Sequence, residues 1–281
     1  MSKKKDKVMS QSLVLGLSAL TALIPLALIA RRQKPQRDIA FWAAVLVSIT
    51  GPSTWVIVQM SEAWQTGLSS ALWVTVVAST VIFGFFAGFT RNGWQLAPIF
   101  SPYMVILAGL ALIWQQDTGQ NMGQSKSILD FQSLDRWIQV HIMISVVTYA
   151  LVTLSGVASL GAFIQEKALR TKQPTTLSRL LPSLIDCEAL TLRLLAIAAA
   201  TLAIGLMTGM AMQFGETNQF LKFDHKTVLS LTSFGVILAL LVAHFRSGLR
   251  GRLAARFVLL AYLLMTLGYP GVKLVTSVLL K

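Results

Sequence analysis

Charge is what this chain has least of. Only 12% of its 281 residues are Asp, Glu, Lys or Arg, about half the share of an ordinary soluble domain. With 54% hydrophobic residues and a mean hydropathy of +0.66, that scarcity excludes a soluble globular domain, a disordered chain and a coiled coil. Cysteine occurs once, at Cys187, so neither an internal disulfide nor a thiolate metal cluster is available. Glycine is neither abundant nor periodic, which excludes a collagen-like chain. The eleven acids sit in connections and at helix ends, and none falls in the middle of an apolar run. A proton-coupled transporter needs such a carboxylate near the bilayer midplane, so that class is disfavoured. There is no Gly-rich phosphate loop, nucleophile elbow or His-Glu zinc pattern, which points to a protein that is not an enzyme.

What the chain does have is long apolar runs. Eight lie at about 11–30, 39–60, 71–89, 96–114, 137–164, 187–211, 227–245 and 254–279. Each is long enough to cross about 30 Å of hydrocarbon as a helix, and none alternates as a barrel strand does. The pattern predicts an all-α, polytopic transmembrane bundle of about eight spans in the bacterial inner (plasma) membrane. Residues 1–10 read as a basic tail and 11–281 as a single bundle. The stretches from Gln115 to Arg136, Gln165 to Asp186 and Met212 to Lys226 read as the longest irregular connections.

The net charge of +13 suggests nucleic acid only at first sight. Its cations cluster in alternate connections: Arg31, Arg32, Lys34 and Arg37; then Lys167, Arg170, Lys172 and Arg179; then Arg246, Arg250, Arg252 and Arg256. The other connections hold most of the acids, among them Glu62, Asp117, Asp130, Asp135, Glu216 and Asp224. The basic set is expected in the cytoplasm, in contact with lipid headgroups, and both termini outside. The Lys3, Lys4, Lys5 and Lys7 leader pulls against that assignment. No nucleic-acid partner is expected, since no basic stripe is interleaved with exposed aromatics.

The three histidines all fall at helix ends: His141 and His225 at the outer starts of the fifth and seventh helices, His244 at the inner end of the seventh. An imidazole there either ligates haem iron or a metal, or bonds a neighbouring helix or headgroup. His141 heads a polar stripe of Ser145, Thr148, Ser155 and Ser159, with Gly156 beside it. That stripe reads as close helix packing with a site at its top. Glu188 and Arg193 do not share a helix face, and Arg193 reads as snorkelling to the surface. Gly205 and Gly209 permit close approach of a neighbour. Pro52, Pro98 and Pro102 read as kinks.

Several segments resemble the cytochrome c assembly family, in order, over about residues 90–279. Trp137 to Ala150 is similar to its Trp-x-x-x-His…Ser-x-x-x-Tyr-Ala segment. Glu188 to Arg193, followed by Leu202 to Gly209, resembles its acid-x-x-x-x-Arg…Leu-Thr-x-Gly-x-x-x-Gly helix. Phe223-Asp224-His225-Lys226 is similar to the end of its tryptophan-rich motif, His244 to Arg252 to the following His-x-Arg stretch, and Gly268 onwards to its last helix. Between Gly209 and Asp224 there is no tryptophan, and no histidine follows His244. These departures from the CcsA pattern make the small HemX- and YpjD-type members the better match.

The resemblance implies haem as cofactor, other cytochrome c maturation proteins as partners, His141 at an external haem-ligand position and His244 at an intramembrane one. Where larger members have a proline, this chain has His225. His141 and His225 are therefore a candidate pair on one iron, flanked by Asp224 and by Lys226, which suits a haem propionate. The alternative for His225 is a boundary residue that caps its helix. Three functions follow: a non-catalytic haem-handling component of cytochrome c biogenesis, a regulatory or scaffolding subunit without haem, and a small-molecule or metal transporter.

Overall fold

A run of apolar residues in lipid has no water to satisfy its backbone, and a helix is the one structure that does so within a single segment. The computed structural model follows that logic. It describes residues 13–32, 36–62, 68–120, 136–217, 225–248 and 251–268, with the backbone alone at 60–62, 115–120, 216–217, 225–226, 247 and 252. The eight apolar runs form α1 (Leu13–Ile29), α2 (Ile39–Glu62), α3 (Leu68–Phe89), α4 (Ala97–Gln120), α5 (Arg136–Thr171), α6 (Leu184–Thr217), α7 (His225–Ser247) and α8 (Arg252–Thr266). Six of them, α2 to α7, are long and apolar enough to cross a membrane, while α1 and α8 are shorter apolar helices. No strand occurs among the described residues. The protein is an all-α polytopic membrane protein. The basic tail of residues 1–10 and the end of the last apolar run lie outside the described residues.

The connections are shorter than hydropathy suggests. The stretch from Gln165 to Asp186, expected to be irregular, is largely helical. α5 continues through Thr171, a short helix spans Thr176–Leu180, and α6 begins at Leu184. α4 runs on to Gln120 and α6 to Thr217, so the other two expected loops are shortened as well. Helical hydrogen bonding does not stop where apolarity stops, because Gln, Glu, Lys and Ala are good helix formers in water. The ends are set by local chemistry instead. α5 stops where Lys172 turns to a left-handed φ of 54°. The Ser178 N–H donates to Thr175 Oγ1 at 3.2 Å, capping the short helix. Ser183 and Asp186 form a reciprocal cap on α6, with Asp186 N–H donating to Ser183 Oγ at 3.2 Å and Ser183 Oγ donating to Asp186 Oδ2 at 2.6 Å.

One side chain ties this connection to the bundle. Gln165 donates its Nε2 hydrogens to the carbonyls of Ser178 (2.8 Å), Pro182 (2.8 Å) and Leu181 (3.3 Å). The Ser178 carbonyl lies in the last turn of the short helix and those of Leu181 and Pro182 in the bend after it, so the amide does for them what a further turn of helix otherwise does.

The chain divides into two units, the described residues of Met1–Gly84 with Ala97–Leu134, and those of Phe85–Leu96 with Asp135–Lys281. In the first, Trp55 and Trp73 rings lie 5.0 Å apart, Phe83 stacks on Phe100 at 4.3 Å, and Ser69 Oγ donates to the Ala111 carbonyl at 2.7 Å. α1 breaks at Ala22 and Leu23, just before Pro25, whose ring and missing N–H do not fit a helix interior.

The second unit is built around α5. Every residue from Thr148 to Ser159 is buried, so this segment is enclosed on all faces. Serines of the polar stripe join it to its neighbours: Ser155 Oγ donates to the Thr191 carbonyl of α6 at 3.1 Å, and Ser159 Oγ to the Ala255 carbonyl of α8 at 3.4 Å. Tyr149 Oη and Thr266 Oγ1 are 3.2 Å apart across α5 and α8. Such bonds are worth about 0.6 kcal/mol each in a bilayer, so close packing of small side chains carries most of the association.

Candidate functional site

The upper stripe residues do not bond across helices as Ser155 and Ser159 do; they face a cavity. Its volume is about 310 Å³, and α5, α6, α7 and α8 all contribute to its wall. His141, Ser145 and Thr148 come from α5, Leu202 and Gly205 from α6, Ser230 from α7 and Met265 from α8. The wall is thus mostly apolar, with four hydroxyl-bearing residues, Tyr149 among them, and one imidazole.

The imidazole of His141 is seated on α6. Gly205, Thr208 and Gly209 fall four, three and one residues apart along that helix, on the face turned to α5. A Cβ built on Gly209 would lie 3.1 Å from His141 Cε1, so only glycine leaves the ring its full space. At Gly205 the neighbour is Ile144 Cγ2 at 3.4 Å. The ring is fixed laterally by Thr208, whose Oγ1 lies 3.0 Å from His141 Nδ1. The Thr208 hydroxyl in turn donates to the Gly205 carbonyl at 3.0 Å. The two glycines expected to allow close approach of a neighbour do so, and the neighbour is the His141 turn of α5. Thr208 went unnoticed at the level of sequence, although it stands inside the Leu202 to Gly209 segment.

His244 occupies the other end of the same unit. It is half-buried near the end of α7 and lines a cavity of about 30 Å³ with Ser159, Glu188, Thr191 and Gly251. That is room for about one water molecule. From His141 to Ser159 the axis of α5 rises roughly 27 Å, so His141 and His244 do not meet at one iron. Glu188 does not reach towards Arg193, which is exposed; its carboxylate accepts the backbone N–H of Gly251 at 2.9 Å.

α7 begins at His225, and five residues later Ser230 lines the large cavity. Asp224 and the side chains of His225 and Lys226 lie outside the described residues, and with them the expected pairing of His141 and His225. Among the described residues no three His, Cys, Asp or Glu side chains gather as a metal site. The donor set that the described residues bring to the cavity is one imidazole among apolar and hydroxyl groups.

Comparison with known proteins places the chain among membrane proteins of one family. The chain is 45% identical over 278 residues to a protein of Azospirillum brasilense described as an uncharacterized 28.8 kDa protein in the nifR3-like 5' region, covering 97% of this chain and 100% of that one. It is 26% identical over 192 residues to the inner membrane protein YpjD of Escherichia coli strain K12, covering 68% of each. With its run of membrane-crossing helices, it is a multi-pass protein of the inner membrane. Residues 13–280 match the family model described as cytochrome C assembly protein, and the chain belongs to that family.

Proposed function

We propose that this protein binds haem at the His141 cavity and passes it on as a non-catalytic component of cytochrome c biogenesis, with other maturation proteins as its partners. The observation that carries this reading is the seated imidazole of His141 in the wall of a cavity of about 310 Å³. That volume lies at the lower end of the range for small-molecule pockets. Haem, as cargo, would supply an iron that accepts a nitrogen ligand. The chain supplies an imidazole to ligate it, apolar walls from Leu202 and Met265 to exclude water, and the Ser145, Thr148 and Ser230 hydroxyls as polar contacts. His244 has no comparable room, and the reading gives it no ligand role.

Haem titration of the detergent-purified protein tests the proposal. Wild type should develop a ligated-haem absorbance, His141→Ala should lose it, and His244→Ala should keep it. Absence of haem uptake by wild type overturns the reading and leaves the scaffolding role, as does uptake unchanged by His141→Ala.

A further inference from the structure

The geometry points to Thr208 as a positioning residue that sets the tautomer of His141, so that Nδ1 carries the proton and Nε2 keeps its lone pair. The use of that lone pair for iron rests on the haem-binding reading above; the tautomer itself does not.

A neutral imidazole has one N–H and one acceptor nitrogen, and only the acceptor ligates a metal. Which is which depends on the partner of the other nitrogen. Here that partner is the Thr208 hydroxyl, 3.0 Å from Nδ1. A hydroxyl has a single proton to give, and Thr208 directs it to the Gly205 carbonyl one turn back, at 3.0 Å. What Thr208 turns towards His141 is therefore a lone pair. Nδ1 must then be the donor, and Nε2 is left as the ligand nitrogen. The reverse arrangement, with Thr208 donating to Nδ1, would put the proton on Nε2 and leave the Gly205 carbonyl without that bond. Two further features hold the arrangement. Thr208 is β-branched, so its χ1 is stiff in a helix. Gly209 leaves room for the Cε1 edge of the ring against α6, with only 3.1 Å between His141 Cε1 and a Cβ built there.

The chain has three histidines, so nitrogen NMR of histidine-labelled protein in detergent is tractable, with assignment by single His→Gln variants. At roughly pH 8.5, where an ordinary imidazole is neutral, His141 of wild type should show the Nδ1–H tautomer. Thr208→Val should shift it towards a mixture, and Thr208→Ser should restore it. In haem titrations run alongside, Thr208→Val should bind about 10- to 100-fold more weakly, as for loss of an outer partner of a metal-bound histidine. Thr208→Ser should stay close to wild type, and both variants should keep its thermal midpoint. An Nε2–H tautomer in wild type overturns the inference. Equal haem affinity in Thr208→Val and wild type does so too. Wild type that takes up no haem overturns the proposed function, and the NMR result then judges Thr208 by itself.

Discussion

The Glu188 carboxylate of α6 accepts the backbone N–H of Gly251 at 2.9 Å, so an acid on one helix caps the first turn of another 63 residues away. Gly251 enters α8 with φ 71° and ψ −144°, a conformation that side chains disfavour, and Glu166 Oε2 stands 3.4 Å from where its Cβ would be. Glu166 itself pairs with Arg170 Nε at 3.1 Å.

Replacing Glu188 by Ala should lower stability by about 1–2 kcal/mol, the cost of losing a cap with a charged acceptor. Glu188→Gln keeps a carbonyl oxygen and should lose about half as much. Thermal melts in detergent measure both, and a Glu188→Ala midpoint equal to wild type would show that the contact contributes nothing.

Gln165→Leu should loosen the connection between α5 and α6, since three carbonyls lose their donor at once. Buried acceptors without partners cost about 1–3 kcal/mol each, less where water reaches them. Trypsin should then cut at Lys172 and Arg179 faster than in wild type, read as fragment appearance over time. Unchanged cleavage rates would mean that the short helix holds itself in place.

At the cavity, Gly209→Ala and Gly205→Ala should part company. A methyl at 209 meets the imidazole at 3.1 Å, whereas one at 205 meets Ile144 at 3.4 Å, ordinary contact. Gly209→Ala should displace the His141 ring resonances and weaken haem uptake several-fold, with stability within about 1 kcal/mol of wild type. Gly205→Ala should leave the ring nearly as it was. Equal effects of the two on the ring would contradict the seat described here.

Topology is open to reporter fusions. The alternation of Lys and Arg between connections predicts Gln173 in the cytoplasm and Gln120 on the opposite side. Fusions at the two positions that report the same side would break the eight-helix alternation.

How far these features are legible in sequence depends on the range of the interaction. Apolar length marks the eight helices, because the bilayer imposes it residue by residue. It misplaces their ends, as at α5, which runs past 164 to Thr171, since lipid sets where a helix must be apolar and not where it must stop. The caps at Thr175 and Ser183 are local and readable in principle. His141 stands out as one of three histidines near polar neighbours. Its partner Thr208 lies 67 residues away on another helix, and nothing in the local pattern distinguishes that threonine from those that bond only their own backbone, such as Thr153 and Thr191. The Glu188 to Gly251 cap is hidden for the same reason, because a backbone N–H leaves no trace in composition.

The enclosed stretch of α5 from Thr148 to Ser159 is roughly 18 Å long, with the large cavity above it and space for about a single water below. The two cavities differ about tenfold in volume, about 310 Å³ against about 30 Å³, so of these two only the one beside His141 has room for a ligand larger than water.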